Sequence, residues 1–175
     1  RALGAAPDDP RVLGNLGNAW LRRGRWSSAV DAYHRALKHA GEHGTLRYNL
    51  AIALAQRHQY DEAITLLNHV LDNRPGFVLA RALRVACLQG ASRVAAAIKQ
   101  GREDLTLITP VADSYVVLGR ALLADGKLTE GLEQLESAVQ QDKQHPIAVM
   151  TWAEALDAAG RRDEALVWYQ RYLKL

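Results

Sequence analysis

Between Pro10 and His43 the apolar residues fall into two runs with a turn signal between them. Leu13, Leu16, Gly17 and Trp20 recur at three- and four-residue spacing, and so do Ala29, Tyr33, Ala36 and Leu37. That spacing lays one apolar stripe along each of two helices, with polar residues on the remaining faces. Gly24 lies where the chain must reverse, because glycine adopts the left-handed backbone that ends a helix. Small residues at Gly17, Ala29 and Ala36 let the two backbones approach closely. Two such helices cannot bury a core alone, so a further copy has to stack on them.

The same pattern returns at a 34-residue period, as Leu50 after Leu16 and Ala63 after Ala29 show. The second copy carries Leu50, Ala51, Leu54 and Ala63 and closes at Arg74-Pro75, with His58 in the place of Gly24. Histidine tolerates the left-handed region better than most residues, so His58 reads as a turn. Leu118-Gly119, Leu122, Gly126, Gly131 and Leu135 make a fourth copy; Trp152-Ala153, Leu156, Gly160, Ala165 and Tyr169 make a fifth.

The third copy is irregular. A strict period puts Arg84 on its packed stripe, so the register is drawn two residues earlier. Leu79, Ala82, Leu83, Ala86 and Gly90 then stand for Leu13, Leu16, Gly17, Trp20 and Gly24. Its second helix reads as short, from Ser92 to about Gly101, and Asp104 to Thr109 reads as a connection. The stretch from Gly101 to Pro110 is expected to be the most mobile internal segment.

These boundaries predict one continuous all-α domain. Residues 1–9 form the tail of a preceding repeat, since Ala2-Leu3 stands one period before Ala36-Leu37. Repeats follow at 10–43, 44–75, 76–109 and 110–145, with a truncated repeat at 146–175. Asp9 and Pro10 supply an N-cap and a proline at the first helical position. Trp168 and Tyr172 occupy positions that a further repeat would cover, so self-association through the C-terminal edge is expected.

Composition narrows the class. Hydrophobic residues make up 49% of the 175 and charged residues 23%, the balance of a folded soluble protein. No apolar run approaches the ~20 residues that a membrane span needs, so no membrane is expected. The net charge of +3 is too small to argue for nucleic acid. It conceals a polarity, +7 over residues 10–110 against −3 over residues 111–175, which would steer acidic segments toward the N-terminal part. Cys87 is the only cysteine, reads as a small buried hydrophobe and implies no redox compartment.

Candidate chemistry is sparse. The chain has no Gly-rich phosphate loop, no Gly-x-Ser-x-Gly elbow and no His-Glu-x-x-His. His39 and His43 are four apart, but Gly41 intervenes and no carboxylate or cysteine set completes a metal site. No cofactor, metal or catalytic residue is assigned. The acidic run Glu130, Glu133, Glu136 reads as a solvated helix face.

Paired helices at a 34-residue period with Leu-Gly…Tyr/Trp…Ala…Tyr…Ala…Pro resemble the tetratricopeptide repeat (TPR) family over nearly the whole chain. The resemblance implies a right-handed superhelical solenoid of stacked antiparallel helix pairs, whose first helices line a concave groove that binds partner peptides or helices. It also implies which residues face that groove: Arg11, Asn15, Asn18 and Arg22; Tyr48, Asn49 and Ile52; Phe77, Arg81 and Arg84; Val117 and Arg120; Met150, Thr151, Glu154 and Asp157. Asparagine offers a donor and an acceptor to a peptide backbone, and arginine forks onto carboxylates. One TPR subfamily clamps a partner's terminal carboxylate through five residues. Asn18, Asn49 and Arg81 match three, while Gly14 and Phe77 stand where lysines are required.

The leading reading is a scaffold that binds a protein or peptide partner, acidic or with a free C-terminal carboxylate. A segment recruiting substrate for a larger enzyme, such as a glycosyltransferase, and a structural self-assembling segment are the alternatives. The expected setting is soluble, with the cytoplasm favoured over the periplasm.

Overall fold

The computed structural model describes residues 8–107 and 109–175. The expected tail helix, residues 1–9, falls almost entirely outside them. The chain divides into two compact units, the first ending at Ala91 and the second running from Ser92 to Leu175. The N-terminal unit holds α1 (Pro10–Arg22), α2 (Trp26–Ala40), α3 (Gly44–Gln56), α4 (Tyr60–Asn73) and α5 (Val78–Gly90). The C-terminal unit holds α6 (Val94–Leu107), α7 (Ala112–Ala124), α8 (Leu128–Gln141), α9 (Pro146–Ala158) and α10 (Arg162–Tyr172). No strand occurs among the described residues.

The period is stricter than the apolar pattern suggested. First helices start at Pro10, Gly44, Val78, Ala112 and Pro146, an unbroken 34-residue interval, and the second helices keep the same interval. The turns between paired helices have positive φ at Gly24, His58, Ser92, Gly126 and Gly160. Ser92, not Gly90, is therefore the third turn, and the two-residue shift of the third repeat is corrected.

Two substitutions concealed that register. Arg84 does sit on the packed stripe. Arg84 is half-buried, its Nε is buried and its Nη1 donates to Asn68 Oδ1 at 3.2 Å. Gly90 ends α5 and leaves room for the Tyr60 ring, which an added Cβ would meet at 2.5 Å.

The short second helix expected in this repeat is also corrected. α6 continues through Asp104 to Leu107, with Ala97, Ile98, Gly101 and Asp104 as its buried stripe. A glycine and an aspartate end the apolar reading at Ile98, but not the helix. Gly101 is packed against the Leu118 side chain of α7 and Asp104 is buried, while Arg102, Glu103, Thr106 and Leu107 are exposed.

Close packing follows the small residues. A Cβ on Gly17 would lie 2.5 Å from the Tyr33 ring, and one on Gly119 would lie 2.7 Å from Leu135 Cγ. These two contacts set the crossing of α1 on α2 and of α7 on α8. One core in the N-terminal unit gathers Leu13, Tyr33, Leu50, Leu54 and Leu67; another in the C-terminal unit gathers Leu135, Val149, Trp152 and Leu156. Burying such side chains is worth roughly 1.5–3 kcal/mol each, which is why neither helix pair is complete without its neighbour.

Candidate peptide-binding cleft

A cleft of about 240 Å³ opens between α1 and α3 in the N-terminal unit. α1 contributes Arg11, Gly14, Asn15 and Asn18, one side of a helix at three- and four-residue spacing. Thr45, Leu46 and Asn49 face them from α3, and His43 stands at the rim. Asp9 caps α1 by accepting from Arg11 N at 2.8 Å, and His43 caps α3 by accepting from Leu46 N through Nδ1 at 3.3 Å. The caps fix the helix starts, and the helix starts fix which residues look into the cleft.

The cleft is organised by a residue beneath it. Tyr33 on α2 donates from its hydroxyl to Asn18 Oδ1 at 2.6 Å, and Asn49 Nδ2 donates to the same oxygen at 2.9 Å. Burial pushes the Tyr33 hydroxyl up to about 12, against the opposing influence of Arg22 and Asn49. It therefore stays a neutral donor at ordinary pH. With Oδ1 taken twice, Asn18 has its amide N–H groups left to donate, while Asn49 keeps its Oδ1 as an acceptor. A donor and an acceptor so placed match the two polar groups of a peptide bond.

Of the other residues from the sequence reading, Arg11 lines the cleft, whereas Tyr48, Arg81, Arg84 and Arg120 are not among its lining residues. Arg11 is held by Asp9 through Nη2 at 3.0 Å, and this hydrogen bond keeps the Asp9 carboxyl below its usual range. Tyr48 packs on Phe77 with ring centroids 4.7 Å apart, and the Arg74 guanidinium lies 4.8 Å from the centre of the Phe77 ring. Arg81 donates from Nε to the Pro75 carbonyl at 2.6 Å. Arg84 is turned onto Asn68 of α4. Arg120 is exposed on α7, at the place Asn18 holds on α1, in the other compact unit.

The corrected register also removes the third match to a carboxylate clamp. The third-repeat places assigned to Phe77 and Arg81 pass to Leu79 and Leu83. Leu79 is 47% exposed, and Leu83 packs partly buried against the N-terminal core. The sequence reading did not place these two apolar residues at the groove positions of the third repeat. The unbroken 34-residue interval was the signal that would have found them.

No group of three or more His, Cys, Asp or Glu among the described residues could hold a metal ion. Cys87 is buried, and burial pushes its thiol up to about 11, so it is a protonated packing residue at neutral pH.

The tetratricopeptide repeat sequence pattern matches residues 21–87 and 122–175, more than half of the chain. The chain belongs to the tetratricopeptide repeat family. Solved structures agree with that fold. MamA 41-end from Desulfovibrio magneticus RS-1 is 23% identical with a TM-score of 0.70, over 98% of this chain and 97% of that one. TTC0263, a TPR protein of Thermus thermophilus, is 18% identical with a TM-score of 0.83, over 94% and 90%. PilF of Pseudomonas aeruginosa is 17% identical with a TM-score of 0.74, over 94% and 75%. No curated protein sequence matches the chain. The fold class is the all-α solenoid of TPR helix pairs, typical of protein–protein interaction scaffolds and generally non-catalytic. No helix among the described residues is long and apolar enough to cross a membrane.

Proposed function

We propose that the N-terminal unit is a docking cleft for an extended segment of a protein partner. The observation that carries this reading is the Asn18–Asn49–Tyr33 network, which leaves an amide donor on Asn18 and an amide acceptor on Asn49, both residues of the cleft lining. Asn18 and Asn49 hold the partner's backbone, Asn15 extends the same row by one turn, and Arg11 with Tyr48 flanks it. Leu79 and Leu83 receive an apolar side chain further along the segment. This replaces the acidic or terminal-carboxylate ligand of the sequence reading, because Arg81 and Arg84 are engaged on Pro75 and Asn68. Arg120 would serve a separate ligand contact on the C-terminal unit.

Fluorescence anisotropy with a panel of labelled extended peptides tests the reading. Asn49→Ala and Leu79→Asp should each weaken the best binder several-fold, since a neutral hydrogen bond is worth about 0.5–1.5 kcal/mol net. Amidating the peptide's C-terminus should change nothing. Unchanged affinity in both variants would place the partner outside this cleft.

A further inference from the structure

A pocket of about 380 Å³ opens inside the C-terminal unit, between the second helices α8 and α10. The buried Trp152 of α9 and the half-buried Trp168 of α10 line it with two indoles. Each indole has a guanidinium near its face, Arg161 at 5.9 Å from the Trp152 ring centre and Arg171 at 5.4 Å from that of Trp168. Two carboxylates in the lining are already engaged. Glu164 takes Arg161 with both oxygens at 2.7 Å, and Glu136 accepts from Gln140 at 3.3 Å. The remaining two cations are not compensated. Arg171 donates from Nε to the Lys143 carbonyl at 3.0 Å, which holds the two residues together, and neither side chain forms an ion pair with a described carboxylate. A local surplus of positive charge therefore stands in a half of the chain whose sum over residues 111–175 is −3.

The fold does not require this set of side chains. In the matching joint between α6 and α8, the places of Trp168, Arg171 and Lys143 belong to Gln134, Ser137 and Thr109. Between α2 and α4 they belong to Leu66, His69 and Gly41, and Leu66 packs there against the N-terminal core. An amide or an aliphatic side chain is thus enough to close such a joint. The indole with its two unpaired cations is chemistry added to the repeat.

We propose that this pocket is a second docking site, which takes an acidic segment of a partner protein with an aromatic side chain beside its carboxylates. Lys143 Nζ and the Nη groups of Arg171 receive an aspartate or glutamate side chain. The neighbouring aromatic ring lies against the Trp168 indole. Charge complementarity argues for this occupant, because two cationic donors stand together without an acceptor. The indoles argue for the ring, since a wholly polar anion would leave their surface unused. The site is independent of the α1–α3 cleft, which lies in the other compact unit and offers neutral amides to a backbone.

The test uses the acetylated and amidated peptide Asp-Glu-Phe-Glu-Asp, titrated into the 175-residue chain and followed by nitrogen–proton NMR. The four tryptophans give four indole signals. Those of Trp152 and Trp168 should move, and those of Trp20 and Trp26 should stay. Replacing the peptide's phenylalanine by alanine, or its four acids by their amides, should weaken binding about ten-fold in each case. Lys143→Glu reverses an exposed charge and should cost about ten-fold as well, and added salt should weaken the wild type more than this variant. Trp168→Leu keeps the fold, because the α2–α4 joint already carries leucine at that place, and it should also lose binding. Unchanged affinity in Trp168→Leu would mean that the indole only fills space, and overturns the proposal. So does the absence of any indole shift at about 1 mM peptide. Movement of the Asn18 and Asn49 side-chain amides in place of the indole signals would put the acidic segment in the α1–α3 cleft, and overturns it too.

Discussion

The two compact units use one backbone plan for different chemistry. In the N-terminal unit, Tyr33 covers Gly17 and sends its hydroxyl to Asn18, which holds Asn49. In the C-terminal unit, Leu135 covers Gly119 in the same way but has no hydroxyl to give. The places of Asn15 and Asn18 are taken there by Val117 and Arg120, and those of Asn49 and Ile52 by Thr151 and Glu154. The rims differ too. His145 caps α9 as His43 caps α3, but it lies 3.5 Å from Asp113, whereas His43 shares its cleft with Arg11. The period decides which residues face a cleft; the side chains at those places decide what it can hold.

Overpacking is the strongest way to break the comparison. Gly17→Val puts two methyl groups into the Tyr33 ring and should cost about 3 kcal/mol by denaturant titration, the upper end for such insertions. The same change at Gly119 should cost at least as much, because the added carbon meets Leu135 Cγ at 2.7 Å and also the backbone carbonyl of Gly131 at 3.1 Å, which cannot yield. A clearly smaller loss at Gly119 would mean that the backbone approach of α7 to α8 is not what limits that site.

Alkaline pH comes next in size. The Tyr33 proton is held to about 12 in the fold against an ordinary value near 10. The folded state therefore binds more protons than the unfolded chain between these values. Stability is undiminished below pH ~10 and falls as pH rises toward ~12, by up to about 2 kcal/mol. Tyr33→Phe should remove that fall while costing about 1 kcal/mol at neutral pH through the lost hydrogen bond. Denaturant midpoints for the wild type and this variant at neutral and alkaline pH check both signs.

The third-repeat turn gives the smallest effect. Ser92→Gly should stabilise by roughly 1 kcal/mol, because a side chain in the left-handed region is strained there. His58→Gly should gain less, since the His58 ring also bonds Tyr60 Oη at 2.6 Å. Thermal melts of the two variants would rank them, and a larger gain at His58 would contradict this account of the turns.

Much of this was legible in the sequence, and what was not has identifiable causes. Leu-Gly pairs and the glycines at 24, 126 and 160 declare the helix pairs of three repeats openly. His58 was readable as a turn because its neighbours kept the interval. Ser92 was not, because Gly90 stood two residues away and offered the more familiar signal. Arg84 looked like a surface residue, since its charge suggests water although it is half-buried. Asp104 hid the last turn of α6 for the same reason. Asn18 and Asn49 were recognisable as cleft residues from their places, but only coordinates show that Tyr33 orients one of them and that they bond to each other.

Strict spacing of the helix starts also makes repeat number an editable quantity. Deleting residues 44–77 would join His43 directly to Val78, one repeat start replacing another with no phase error. The cost would fall on side-chain fit alone, with Arg84 arriving where Leu50 had been buried. A deletion two residues longer or shorter would rotate the first stripe after the junction off the face of α2. Variation among related chains should accordingly come in whole repeats, and length differences of any other size should be confined to the turns.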